Sequence, residues 1–124
     1  MVKPKYSSET LEISKEIVNS CTSCKKCMKE CVMLSDFGRS PKDIFGAFLK
    51  DEYINSIIPY SCNLCNKCTT VCPKNLRISK AFMGMRESII KANGGKSPLK
   101  GHRAVYIHQL LSCGFMKIFT IRRR

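Results

Sequence analysis

Apolar residues recur along this chain at helical spacing. Ile78, Phe82, Met85 and Ile89 stand at i, i+4, i+7 and i+11, with Arg77, Lys80 and Lys91 off that stripe. The pattern predicts an amphipathic helix with one face turned inward. Asn93-Gly94-Gly95 supplies its stop, because both residue types tolerate the left-handed backbone that a helix end requires. Ser40-Pro41-Lys42-Asp43 has the makings of a helix start: a capping serine, proline at the first helical position and an early acid. Ile44, Phe45, Phe48 and Leu49 then form one apolar face. Nearer the N-terminus, Ser8 with Glu9 and Glu12 opens a helix expected to bury Leu11, Ile13, Ile17 and Val18. No segment shows convincing strand alternation. The expected fold class is all-α.

The end of the chain reads separately. Ser97-Pro98-Leu99-Lys100-Gly101 has linker composition. Beyond it, Ala104, Ile107, Leu111, Phe115 and Ile118 fall at i, i+3, i+7, i+11 and i+14, predicting one more amphipathic helix. His108, Gln109, Ser112 and Lys117 lie off its stripe, so it makes a poor membrane span despite sufficient length. His108 reads as a polar-face residue rather than a ligand. This helix either docks on its own domain or serves as a handle for a partner.

Against this helical background, nine cysteines among 124 residues narrow the chemistry to disulfides, zinc or iron–sulfur clusters. Eight of them form two sets of identical spacing, C-x2-C-x2-C-x3-C: Cys21, Cys24, Cys27, Cys31 and Cys62, Cys65, Cys68, Cys72. Each second-set cysteine lies 41 residues beyond its counterpart, and Ser20/Ser61 and Lys26/Lys67 repeat with them. Such duplication predicts an approximate two-fold relation between the halves. The 30 residues between the sets carry helical signals, and Pro59 closes that linker. Cys113 stands apart in an apolar stretch, where a free cysteine acts as a small hydrophobe.

Length and charge bound the rest. A chain of this size forms one small domain with a modest core, which bound cofactors would help to hold together. The N-terminal residues contain no apolar run that could serve as a signal peptide, so the expected compartment is cytoplasmic and reducing. Disulfides are then disfavoured. The formal net charge is +13, and two cubanes, each −2 with its four thiolates, would leave about +9. A basic balance suits an acidic partner, which could be protein, nucleic acid or an anionic membrane surface.

The spacing favours a cubane. One short C-x2-C-x2-C loop can curl around a cube and offer thiolates to three iron corners, leaving the fourth iron facing away. In two-cluster ferredoxins the fourth cysteine of the other motif supplies the missing ligand. That rule assigns Cys21, Cys24, Cys27 and Cys72 to cluster one, and Cys62, Cys65, Cys68 and Cys31 to cluster two. The exchange would fasten the halves together, so the apo chain is expected to fold poorly. Zinc sites favour paired C-x2-C knuckles and fit these triplets less well. The C-x3-C-x2-C triplet of radical enzymes that use S-adenosylmethionine does not occur. The second set ends Cys72-Pro73, whereas the first ends Cys31-Val32; the departure is slight, because proline ligates nothing.

The run Cys62-Asn63-Leu64-Cys65-Asn66-Lys67-Cys68-Thr69-Thr70-Val71-Cys72-Pro73, followed by a helix containing Met85-Arg86-Glu87, resembles the α-helical ferredoxin domain. The resemblance extends over roughly residues 8 to 95 and points most directly to the C component of heterodisulfide reductase. Iron–sulfur subunits of anaerobic glycerol-3-phosphate dehydrogenase, glycolate oxidase and fumarate reductase-like enzymes share these paired motifs. The resemblance implies two 4Fe–4S clusters relaying single electrons inside an oxidoreductase complex. It implies redox partners as well: a subunit with a Cys-Cys-Gly domain, a flavoprotein, or both. This chain has no Cys-Cys pair and no nucleophile arrangement around His102 or His108, so it reads as a non-catalytic wire. Either a small subunit or the N-terminal part of a longer polypeptide would read this way.

The expected organisation is a dicluster domain over 1–96 and a linker, helix and basic tail over 97–124. The tail Arg122-Arg123-Arg124 reads as solvated, and it also permits peripheral contact with an anionic membrane. Lys26 and Lys67, each directly before a third cysteine, read as solvated lysines; close to a cluster they would favour its reduced form. The competing function is nucleic-acid binding around structural clusters. Against it, no aromatic residues interleave the basic ones as a stacking platform, so no nucleic-acid partner is expected.

Overall fold

The computed structural model describes residues 3–121, and side chains as far as Gly114. Among the described residues there are helices and no strands: α1 (Ser8–Ser20), α2 (Lys26–Glu30), α3 (Val32–Phe37), α4 (Pro41–Asp51), α5 (Ile57–Ser61), α6 (Lys67–Val71), α7 (Ile78–Ala92) and α8 (Lys100–Ile121).

The longer helices of the core follow their sequence signals closely. α4 begins with a full capping box, Ser40 accepting from the Asp43 amide while the Asp43 carboxylate accepts from the Ser40 amide and hydroxyl. Pro41 occupies its first turn, and Ile44, Phe45 and Phe48 are buried, with Leu49 half-buried. α7 buries the whole stripe Ile78, Phe82, Met85 and Ile89 and leaves Arg77, Lys80 and Lys91 in solvent. It ends where expected: Gly94 and Gly95 take φ of 63° and 80°, and the Gly95 amide returns to the Ile90 carbonyl at 2.9 Å.

α1 departs in detail. Its cap is Ser7, whose side chain accepts from the Thr10 amide, and Ser8 is already the first residue of the helix. Ile13 and Ile17 are buried, together with Thr10 and Ser14, while Leu11 and Val18 are only half-buried. The reason is close packing on α7. A Cβ at Gly84 would fall well inside van der Waals contact of Thr10 Oγ1, so the small residue is what lets the two helices approach. α1 packs on both α4 and α7, and Phe45 and Phe82 meet between them with ring centroids 5.1 Å apart. Salt bridges Glu9–Lys80 (2.5 Å) and Glu16–Arg77 (2.9 Å) fasten the same α1–α7 pair from outside.

The repeat is visible in the backbone. Ser23 and Leu64 both have φ of 56°, and Lys25 and Asn66 have φ of 60° and 61°; each pair is related by the 41-residue offset. α2 and α6 obey the same offset and pack on each other. After the fourth cysteine the halves diverge. Cys31 is the N-cap of α3, whereas Cys72-Pro73 runs into a turn closed by the Asn75 amide on the Cys72 carbonyl. The proline therefore matters more than expected, marking where the two copies take different paths. Pro59 likewise lies inside the short helix α5, in its first turn, where a missing N–H costs nothing.

α8 starts at Lys100, inside the stretch read as linker. Ser97 accepts from the Leu99 amide and pairs with His102 Nδ1 at 2.9 Å. The His102 ring meets Tyr60 edge-on at 5.3 Å, and residues 101–114 are exposed. Val105, Tyr106, Ile107, Leu110 and Leu111 are among the exposed apolar side chains. Phe115 and Ile118 of the predicted stripe, and Arg122-Arg123-Arg124, lie outside the described side chains. No helix among the described residues is long and apolar enough to cross a membrane.

Candidate metal centre

Each cysteine set is built on a strained loop followed by one short helix. The αL residues Ser23 and Lys25, and Leu64 and Asn66, cost steric energy in L-amino acids. They curl the C-x2-C-x2-C segment into a loop that buries its third cysteine, half-buries its first and leaves its second exposed. α2 and α6 then begin directly after the second αL residue and bury Cys27 and Cys68 between them. In the second loop the Leu64 amide donates to Cys62 Sγ at 3.4 Å, the kind of N–H to sulfur contact that stabilises a thiolate.

The first cavity is lined by Cys21, Cys24, Cys27 and Cys72, together with Lys25, Ser40, Pro41, Pro73 and Lys74. Cys31, the sequence neighbour of that motif, is not among its lining residues. Burial raises the Cys27 thiol to about 11, and Cys21, Cys68, Cys24 and Cys72 add to the rise in that order. Burial also raises Cys68, with Cys62 and then Cys31 contributing. Cys62 is raised by burial, opposed by the Leu64 amide and the Arg86 charge, with Cys31 and Cys65 adding to the rise. The structure thus brings Cys72 to the first triplet and Cys31 to the second. Because α2 packs on α6 and each buries one of Cys27 and Cys68, the two sets lie side by side across that contact.

Crowded thiols with no cation to neutralise them resist ionisation, so this donor set calls for a positively charged core. The first cavity offers soft sulfur and no histidine or carboxylate, which suits an iron–sulfur cluster. Among the described residues, no three histidine, cysteine, aspartate or glutamate side chains converge tightly enough to hold a single metal ion. Cubane ligands need no such convergence, since each thiolate meets a different iron corner. Cys113 lies exposed on α8, away from both sets.

Residues 16–76 match the 4Fe-4S dicluster domain family. The chain carries a 4Fe-4S dicluster domain. Its cofactors are two 4Fe–4S clusters, and the all-α fold is the one expected for them. Over 100 residues the chain is 26% identical to a heterodisulfide reductase C-like protein of Archaeoglobus profundus, covering 77% of this chain and 53% of that relative. The chain spans about half the length of the curated relative it matches. No solved structure matches.

Around the dicluster domain lie polar contacts that the cysteine pattern does not announce. Lys67 is paired with Glu30 at 2.6 Å, rather than standing free beside Cys68. Arg86 Nε donates to the Pro59 carbonyl at 2.7 Å, and its Nη2 donates to the Cys62 carbonyl. The sequence signal for Arg86 is a lone cation one residue past Met85, at the margin of an otherwise apolar stripe. Ser79 Oγ bonds Asn66 Oδ1, and Thr69 Oγ1 donates to the Leu76 carbonyl at 2.9 Å, tying α6 to the start of α7.

Proposed function

We propose that this dicluster domain passes single electrons between redox partners in a heterodisulfide reductase-like complex. The observation that carries the reading is the packing of α2 on α6, which buries Cys27 of one set and Cys68 of the other. Cys21, Cys24, Cys27 and Cys72 would hold cluster one, and Cys62, Cys65, Cys68 and Cys31 cluster two. When bound, such clusters accept and release one electron each with little change of shape. The residues do the remaining work. The αL loops fix the thiol directions, α2 and α6 exclude water from Cys27 and Cys68, and the crossed ligands lock the repeats at one separation.

A wire needs a donor and an acceptor at its ends. A subunit with a Cys-Cys-Gly domain or a flavoprotein would supply the chemistry, since this chain carries no Cys-Cys pair of its own. The likeness to a heterodisulfide reductase C-like protein supports this placement. The exposed apolar residues of α8 would meet that redox partner, with 1–96 forming the cluster-binding unit. The deciding experiment is metal analysis of anaerobically purified protein. About eight irons and eight sulfides per chain, with brown colour and both signals reducible, are expected. Stoichiometric zinc without visible absorption would end the reading.

A further inference from the structure

The two centres are built alike in their loops and differently in their surroundings. The second has a charge clamp with no counterpart at the first among the described residues. Arg86, half-buried on α7, reaches back 24 residues to the Cys62 carbonyl and 27 to that of Pro59. Its guanidinium also lies 5.4 Å from the centroid of the Tyr60 ring. One side chain thus grips α5 at Pro59 and Tyr60 and the backbone of the cysteine that follows it. No carboxylate pairs with it among the described residues.

The other cations near the cysteines are of a different kind. Lys25 and Lys74 at the rim of the first cavity are exposed and screened by solvent and salt. Lys67, beside Cys68, is neutralised by Glu30. Arg86 is therefore the cation with the least screening and no described counter-charge. A fixed positive charge favours the more negative, reduced state of whatever it faces.

We infer that Arg86 is a positioning residue that orients Cys62 and raises the reduction potential of cluster two above that of cluster one, giving the pair a direction. Electrons entering at the Cys21–Cys24–Cys27–Cys72 side would then run downhill toward the Cys62 side. That side is also where His102 of α8 touches Tyr60, so the downhill end lies next to the exposed helix. The inference rests on the dicluster reading and on its crossed ligand assignment.

The test is a redox titration, followed by electron paramagnetic resonance, of wild type, Arg86→Gln and Arg86→Lys, each first assayed for iron. Wild type with fewer than two clusters would sink the dicluster reading itself and leave nothing to titrate. With two clusters present, Arg86→Gln should move one midpoint to more negative potential and leave the other in place. Arg86→Lys, which keeps the charge but cannot bridge two carbonyls in the same way, should restore most of the shift. In a Cys31→Ala background, where only cluster one should remain, Arg86→Gln should move nothing. Unchanged midpoints, equal shifts of both, or a shift in the Cys31→Ala background would each overturn the inference. If Arg86→Gln cannot retain cluster two, Arg86→Lys decides. Retention at the wild-type potential upholds the charge role, and loss there as well reduces Arg86 to a structural clamp.

Discussion

Lys67 Nζ lies 2.6 Å from Glu30 Oε2, joining the residue before Cys68 to the residue before Cys31. The ion pair therefore crosses the internal repeat at the point where the fourth cysteine of one motif reaches the other. The repeat explains why only one such pair exists at these positions. The counterpart of Lys67 is Lys26, but the counterpart of Glu30 is Val71. Pairing holds the Glu30 carboxyl below its ordinary value of 4.5 and lifts Lys67 above its ordinary 10.5. The stabilisation is then complete between those two values. It is lost as pH falls through the lowered Glu30 value, or rises through the raised Lys67 value. Glu30→Gln should lower thermal stability slightly at neutral pH, by an amount that shrinks with added salt. Thermal melts of the two proteins at low and high ionic strength check this. A salt-insensitive difference would mean that the pair acts through something other than charge.

The proposed crossed ligand sets would give opposite phenotypes for two similar mutations. Cys72 lines the cavity of Cys21, Cys24 and Cys27, while Cys31 is felt by Cys62 and Cys68. Cys72→Ala should damage the cluster of the first triplet, and Cys31→Ala that of the second. Spectra of the single mutants, compared with triplet mutants such as Cys24→Ala and Cys65→Ala, assign each loss. Matching spectra for Cys72→Ala and Cys65→Ala would show that each motif serves its own cluster.

Cluster loading should grow stronger with rising pH. Without metal the Cys27 thiol is pushed up to about 11, chiefly by burial and then by the neighbouring thiols. It stays protonated below that value, so iron must displace a proton throughout the neutral range, and raising the pH lowers that cost. Chelator-driven bleaching should therefore be slower at about pH 8.5 than at about pH 6.5, in the direction set by proton competition. Equal rates would place the limiting step elsewhere.

Much of this architecture was legible because its signals are local. The capping box at Ser40, the α7 stripe from Ile78 to Ile89 and the glycine stop all depend on residues a few positions apart. The duplicated cysteine spacing is local too, within each copy. What escaped the sequence was contact between distant segments. Lys67 finds Glu30, and Arg86 finds Pro59 and Cys62, only once the segments carrying them pack together. The left-handed residues escaped for another reason. Leu64 has no intrinsic preference for φ of 56°, and only the thiols around it justify the strain.

The α1–α7 approach supplies a prediction independent of metal. At Gly84 an added methyl would run into Oγ1 of the buried Thr10 side chain. Alanine is favoured over glycine inside a helix by up to about 1 kcal/mol, yet overpacking a filled site costs roughly 1–3 kcal/mol. Gly84→Ala should thus lower stability on balance, and the double variant Gly84→Ala/Thr10→Ala, which removes the hydroxyl in the way, should recover part of the loss. Denaturant midpoints of the holo proteins decide. A more stable Gly84→Ala would show that α1 can shift without cost.

The last prediction separates the cluster fold from α8. The residues of α8 as far as Gly114 are exposed, and its first turn touches the rest through His102 against Tyr60. Tyr60 lies under Arg86, which in turn holds Cys62. Two truncations therefore differ in a useful way. A chain ending after Arg103 keeps the His102 contact, sheds Val105, Tyr106, Ile107, Leu110 and Leu111, and should retain both clusters with improved solubility. A chain ending after Lys96 loses the His102 edge contact too. It should still hold about eight irons, because both cysteine sets and α7 are complete before that point. Both should bind the redox partner more weakly than the full chain. If the shorter chain sheds cluster two while the longer one keeps it, the first turn of α8 belongs to the cluster-binding unit. If both shed clusters, α8 is part of the core and its role as a partner handle fails.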